Sequence, residues 1–186
     1  MSRRTELADA AITTLARDGM RNLTHRAVDR TAGLPEGSAS YYFRTRQALL
    51  QATVERLADL DAAEIPALPY RDLDAFARAA AEVVQGWLTG GRERQLARFE
   101  LALEATRRPE LRAALVSSGA RVRAMVADLF AAAGVSEPGR RASDFAAFVD
   151  GLLFDQIAGA GARQLTGAEL SVLIRALLTA VTASHP

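Results

Sequence analysis

Residues 23–50 read LTHRAVDRTAGLPEGSASYYFRTRQALL: two short helical segments joined by a glycine turn, an aromatic close and a fresh helix start. Thr24 is suited to cap the first segment, because its hydroxyl can accept a bond from an N–H that a helix N-terminus leaves without a partner. Leu23 just outside that cap and Val28 one turn inside it stand where a hydrophobic staple forms. The segment THRAVDRTA ends at Gly33, which takes the left-handed conformation that stops a helix. Leu34 plugs the turn, and Pro35 fixes φ ahead of a second short helix expected over 36–43. On that helix the small hydroxyls of Ser38 and Ser40 let the backbone approach a groove. The hydroxyls of Tyr41 and Tyr42 can reach phosphates, and Phe43 is expected to be core. Thr45 can cap the next helix, and Arg46 at its start can reach a phosphate.

Charge supports this use of the segment. Residues 1–46 hold eight arginines against five acidic residues, a net +3, whereas the whole chain is +1, which leaves −2 for residues 47–186. A basic excess confined to one end is what a phosphate-binding surface requires. His25 adds a further donor. Helix-turn-helix packing also occurs in proteins that bind no nucleic acid, so a helical interaction or scaffold protein is the alternative reading. Arginines alone would mark only a solvated face. Motif, charge asymmetry and N-terminal placement together favour a helix laid in a DNA groove. The expected DNA contacts are Thr24, His25, Arg26, Ser38, Ser40, Tyr41, Tyr42, Arg44 and Arg46, with Ser38, Ser40 and Tyr41 toward base edges.

The first fifty residues resemble the DNA-binding domain of TetR-family transcriptional repressors. The family pattern is Thr-x-x-x-apolar-Ala-x-x-Ala-Gly-Val, then Gly-Ser/Thr-apolar-Tyr-x-Tyr/His-Phe, then a Lys-x-x-Leu helix start. Here Thr24 to Leu34, Gly37 to Phe43 and Arg46 to Leu49 stand in those places. Pro35 replaces a common Ser, Ser40 a common aromatic, and Arg46 the Lys. The rest of the chain matches only in length and helical pattern. The resemblance implies a repressor that binds a palindromic operator in double-stranded DNA as a homodimer, and a C-terminal pocket for a small-molecule inducer.

Outward from the motif, the whole chain reads as all-α, with about nine helices. Domain boundaries are expected at 1–46, a three-helix helix-turn-helix domain, and 47–186, a helical ligand-binding and dimerisation domain. A stripe of Leu7, Ala8, Ala11, Ile12, Leu15 and Ala16 marks the first helix, ended by Gly19. Leu49, Leu50, Val54, Leu57 and Leu60 mark the fourth, from Arg46 to about Glu64, broken by Ile65–Pro69. Further helices are expected at about 72–89, 94–107, from Pro109 to near Gly134, 140–158 and 168–183. Apolar residues nearly encircle the eighth, with Gly151 in the middle, so it needs burial on more than one side. A dimer interface is therefore expected from Phe145, Phe148, Gly151, Leu152, Asp155, Leu170, Ile174, Leu177 and Val181. Trp87, Phe99, Leu103, Met125 and Gln156 are candidate pocket residues. Glu100, Glu104 and Arg107 read as a solvated, salt-bridged face of the sixth helix.

Other functional classes find little support. With no cysteine there is no disulfide or thiolate chemistry. The histidines, His25 and His185, lie in the motif and at the C-terminus. No zinc-protease, nucleophile-elbow or phosphate-loop pattern is present, so neither enzyme activity, metal nor cofactor is expected. Gly159-Ala-Gly161 reads as a helix end. No apolar run is long enough to span a membrane, and no secretory leader is evident, so the expected location is the cytoplasm.

Overall fold

The computed structural model describes residues 2–64, 73–161 and 164–183. Among these are nine helices and no strand: α1 (Arg3–Asn22), α2 (His25–Ala32), α3 (Ser38–Tyr42), α4 (Arg46–Glu64), α5 (Leu73–Leu88), α6 (Arg92–Ala105), α7 (Pro109–Ala132), α8 (Pro138–Ile157) and α9 (Gly167–Thr182). The expected break at Ile65–Pro69 and the residue His185 lie outside the described residues. The chain divides into two compact units, Met1–Leu60 with Arg92–Gly119, and Asp61–Gly91 with Ala120–Pro186. The divisions fall within α4, between α5 and α6, and within α7.

The N-terminal unit is built on the stripe of α1. Leu7, Ala11 and Leu15 are fully buried, together with Leu23, Val28, Ala39 and Phe43 from the motif, Leu49 from α4, and Ala97 and Leu101 from α6. The α6 residues belong here because α6 packs along α1. Gly19 at φ 75° interrupts α1, and one further turn follows it before Asn22. The break frees the N–H of Met20, which donates to Glu100 Oε2 on α6 at 3.1 Å. Glu100 is thus a tie to α1 and departs from the solvated, salt-bridged face expected with Glu104 and Arg107, while Glu104 pairs with Arg108 and Arg107 is exposed. Arg56 on α4 grips Asp9 on α1 through two bonds, at 2.6 and 3.2 Å.

The C-terminal unit packs α5 against α8 and α9. At its centre Phe76, Phe130 and Phe145 form a ring cluster, with centroids 5.4, 5.6 and 6.0 Å apart and tilted or edge-on planes. Such geometry suits the aromatic quadrupole. Val149, Leu153 and Ile157 extend the buried face of α8, and Leu170, Ile174, Leu178 and Val181 that of α9. Arg175 pairs with Asp74 at 2.7 Å, linking α9 to α5. A capping box between Thr166 and Glu169 starts α9.

Candidate nucleic-acid interface

The motif folds through local chemistry. Thr24 accepts from the N–H of Ala27 at 3.1 Å, and Gly33 closes α2 at φ 66°. The second helix begins later than the sequence suggests. Pro35 and Glu36 lie in a turn, where the N–H and hydroxyl of Ser38 both donate to the Pro35 carbonyl, at 3.2 and 2.7 Å. Helix α3 is therefore five residues long, against the eight expected over 36–43.

A helix this short, headed by Gly37 at φ 95°, has no side chain of its own to answer its first N–H groups. The answer comes from α2. Asp29, 1% exposed, accepts the N–H of Gly37 at 2.8 Å through Oδ2 and that of Ala39 at 2.7 Å through Oδ1. Its charge also lies at the positive end of α3. One carboxylate thereby fixes the angle between the two helices of the motif. Sequence reading overlooked Asp29. The available signal was negative: the candidate cap, Gly37, carries no side chain, and an acidic residue eight positions upstream stands where the family pattern has Ala.

Two further side chains hold the far end of α3. The Nε2–H of His25 donates to the Phe43 carbonyl at 2.7 Å, which fixes the ring tautomer. Arg4 of α1 donates to the Tyr42 carbonyl at 3.2 Å and stacks over the Phe43 ring, 4.7 Å from its centroid. Phe43 is fully buried, as its anchoring role requires. Arg46 is turned inward. Its guanidinium donates to the Leu23 carbonyl and, at 2.6 Å, to the Met20 carbonyl. The carbonyls left over where α1 ends thus receive the cation that sequence reading assigned to a phosphate.

What remains outward is compact. Thr24, Arg26, Ser40, Tyr41, Tyr42 and Arg44 are exposed, and Ser38 half so. Tyr41 projects furthest, 78% exposed, with its ring edge-on to Tyr42 at 5.1 Å. Arg26 lies 3.8 Å from Glu36, both in solvent. Aromatic hydroxyls, small hydroxyls and arginines share one short helix and its flanks, the chemistry that base edges and phosphates take.

The expected dimer residues fall into two sets. Phe145, Leu170, Ile174 and Val181 are buried within their own unit, so the chain's core claims them. An apolar stripe cannot by itself say which hydrophobic face it meets. Phe148, Gly151 and Asp155 are exposed, and Leu152 and Leu177 partly so. Phe154, Val172 and Leu173 add to the exposed apolar surface of α8 and α9. Asp155 lies beneath the loop after α8. A Cβ on Gly159 would collide with its backbone at 2.6 Å, so that glycine is required by close approach, whereas one on Gly161 would meet only its exposed carboxylate.

The five candidate pocket residues are not brought together within either unit. Phe99 and Leu103 belong to the N-terminal unit, where Leu103 is 59% exposed and Arg98 covers the Phe99 ring at 5.0 Å. Trp87, Met125 and Gln156 belong to the C-terminal unit. The indole N–H of Trp87 donates to Glu64, and Gln156 accepts the N–H of Leu165 at 3.2 Å, which ties down the connection before α9. Among the described residues no helix is long and apolar enough to cross a membrane.

A capped helix-turn-helix on an all-helical body defines a DNA-binding regulator. The pattern of bacterial regulatory proteins of the tetR family matches residues 7–53, and that of tetracycline-repressor-like C-terminal domains residues 71–183. The chain is 30% identical over 164 residues to the HTH-type transcriptional regulator BetI of Agrobacterium fabrum, covering 81% of this chain and 74% of that one. It is similar in structure to the multidrug binding protein EbrR complexed with ethidium, with 27% identity, TM-score 0.75 and coverage of 98% of this chain and 100% of that one. A TetR-family member from Streptomyces coelicolor A3 matches at 28% identity and TM-score 0.75, over 99% and 100% of the two chains. The chain belongs to the TetR family, and it is a DNA-binding transcriptional regulator.

Proposed function

We propose that this regulator is a cytoplasmic repressor without enzymatic activity, that it binds a palindromic operator as a homodimer, and that a small molecule releases it. Residues 1–46 carry the DNA contacts and residues 47–186 the ligand and dimer contacts. The observation that carries the DNA reading is the outward face of α3, where Ser40 and Tyr41 are exposed on a helix whose backbone is held at both ends by other helices. Ser40 and Tyr41 face base edges. Ser38, its hydroxyl proton given to Pro35, presents an acceptor. Tyr42, Arg44, Arg26 and Thr24 meet the backbone phosphates. A five-residue helix reads one half-site weakly and gains from a second copy. Phe148 and its exposed neighbours on α8 and α9 supply the surface for that copy. Ligand acts by favouring a conformer with lower operator affinity.

The test is titration of the full chain on an operator selected from random duplexes, against scrambled DNA. Affinity should fall with salt at a log–log slope of about −0.9 per neutralised phosphate. Ser40→Ala or Tyr41→Ala should lower specific binding by up to about 1–3 kcal/mol where a base contact is lost, and non-specific binding less. Tyr42→Phe should weaken both alike. Wild-type operator affinity in both Ser40→Ala and Tyr41→Ala would refute this orientation of α3.

A further inference from the structure

The C-terminal unit holds a cation that its own chain does not answer. Arg141, in the second turn of α8, is 8% exposed. Its Nε is sealed from solvent without an acceptor, and among the described residues no hydrogen bond, ion pair or ring contact falls to its side chain. A guanidinium cannot escape this by losing its proton, because arginine keeps its charge in proteins. Its terminal nitrogens are not sealed and can be reached from solvent, so an anion there would offset the cost of sinking the charge. Two other partly sunken arginines are answered: Arg56 by the Asp9 carboxylate and Arg46 by two carbonyls. Arg141 lies four residues before Phe145, hence on the same face of α8, one turn from the ring cluster of Phe76, Phe130 and Phe145. A guanidinium fork with apolar rings one turn away matches a planar carboxylate on an apolar body.

We propose that Arg141 is the anchor of a binding site for a small organic carboxylate with an apolar body. This rests on the reading of the C-terminal unit as ligand-binding, and names the ligand's chemical class. The experiment is thermal melting and calorimetry of the full chain with benzoate, 2-naphthoate and octanoate, each paired with its neutral amide, and with inorganic phosphate and ethidium as controls. At least one carboxylate should raise the melting temperature and bind more tightly than its amide and than phosphate. Arg141→Gln should weaken that binding about tenfold or more. Arg141→Met should abolish the preference while the ligand-free protein melts at or above wild type, because an unanswered buried charge has been removed. If Arg141→Met melts below wild type, the guanidinium is already answered in the native assembly, by a second copy's carboxylate for instance, and the proposal falls. It falls equally if no carboxylate outbinds its amide, or if phosphate alone binds as well. Ethidium that raises the melting temperature of the DNA-free chain, with no carboxylate preference, overturns this site and leaves ligand binding standing. Carboxylate binding through Arg141 that leaves the DNA complex intact upholds this site and overturns ligand control.

Discussion

Helix α3 has five residues and α8 has twenty, and they are held in place by opposite means. An isolated helix shorter than about 12 residues is marginal in water, so α3 cannot form alone. It exists because Asp29 takes its first N–H groups, His25 and Arg4 take carbonyls at its end, and Phe43 is driven into the core. Each of these contacts is single and has no substitute. Helix α8 rests on repetition. Phe145, Val149, Leu153 and Ile157 recur on one face, and the loss of any one leaves the others packed. A reading element of this kind is specified by a few polar contacts with fixed geometry, and a supporting element by an apolar pattern with several equivalent members.

The sharpest way to break this contrast is to remove the anchor. Phe43→Ala should cost about 3–5 kcal/mol in chemical denaturation and abolish operator binding. Val149→Ala on α8 removes fewer buried atoms and should cost less while leaving operator affinity intact. Equal losses of DNA binding in the two variants would erase the distinction. Next in size is Asp29→Ala, which leaves two N–H groups of α3 unanswered, one of them buried. A cost of about 2–4 kcal/mol is expected, since each orphaned donor costs about 1–3 kcal/mol. Asp29→Asn keeps one acceptor oxygen and should fall between that variant and wild type. A wild-type melt for Asp29→Ala would mean that α3 is held without its cap.

This division also explains what the sequence made legible. The apolar stripes of α1 and α4, the Thr24 cap and the Gly33 stop were readable because each depends on neighbours within about one turn. The start of α3 was not, because Pro35 to Gly37 can be a helical first turn or a separate one, and Asp29, from another helix, decides between them. The charge of Arg46 suggests an outward place, and the carbonyls that draw it inward are those left open where α1 ends, which the sequence around Arg46 does not reveal. On α8 the pattern showed that both faces are apolar, and only packing showed that Phe145 faces the ring cluster while Phe148, at 52% exposure, faces out. The same contrast applies to the pocket residues: the apolar Trp87, Phe99, Leu103 and Met125, with Gln156 as a polar handle, read together in the sequence, while the fold distributes them over two units.

Arg46 sharpens the comparison at a smaller scale. It joins α4 to the end of α1 through two carbonyls, so Arg46→Ala should destabilise the chain by about 1–3 kcal/mol, the cost of leaving acceptors without their charged donor. The salt slope of DNA binding should stay as in wild type. A shallower slope with unchanged stability would return Arg46 to the phosphates.

The smallest expected effect carries the clearest sign. Gly151 lies in mid-helix on α8, is exposed, and a Cβ built there meets nothing within 4 Å. Within the chain alone there is no packing reason for glycine, and its helix propensity is about 1 kcal/mol worse than that of alanine. Gly151→Ala should therefore stabilise an isolated chain by up to about 1 kcal/mol. If a second copy approaches α8 closely at this residue, the same methyl group should weaken association. The two effects separate by dilution, because only the second depends on protein concentration. We expect sedimentation to show weaker dimerisation for Gly151→Ala, and melting at concentrations where the chain is monomeric to show a slight gain. Unchanged dimerisation together with that gain would move the interface away from Gly151. The outward faces of Phe148, Val172 and Leu173 would then have to meet a partner without close backbone approach at this glycine.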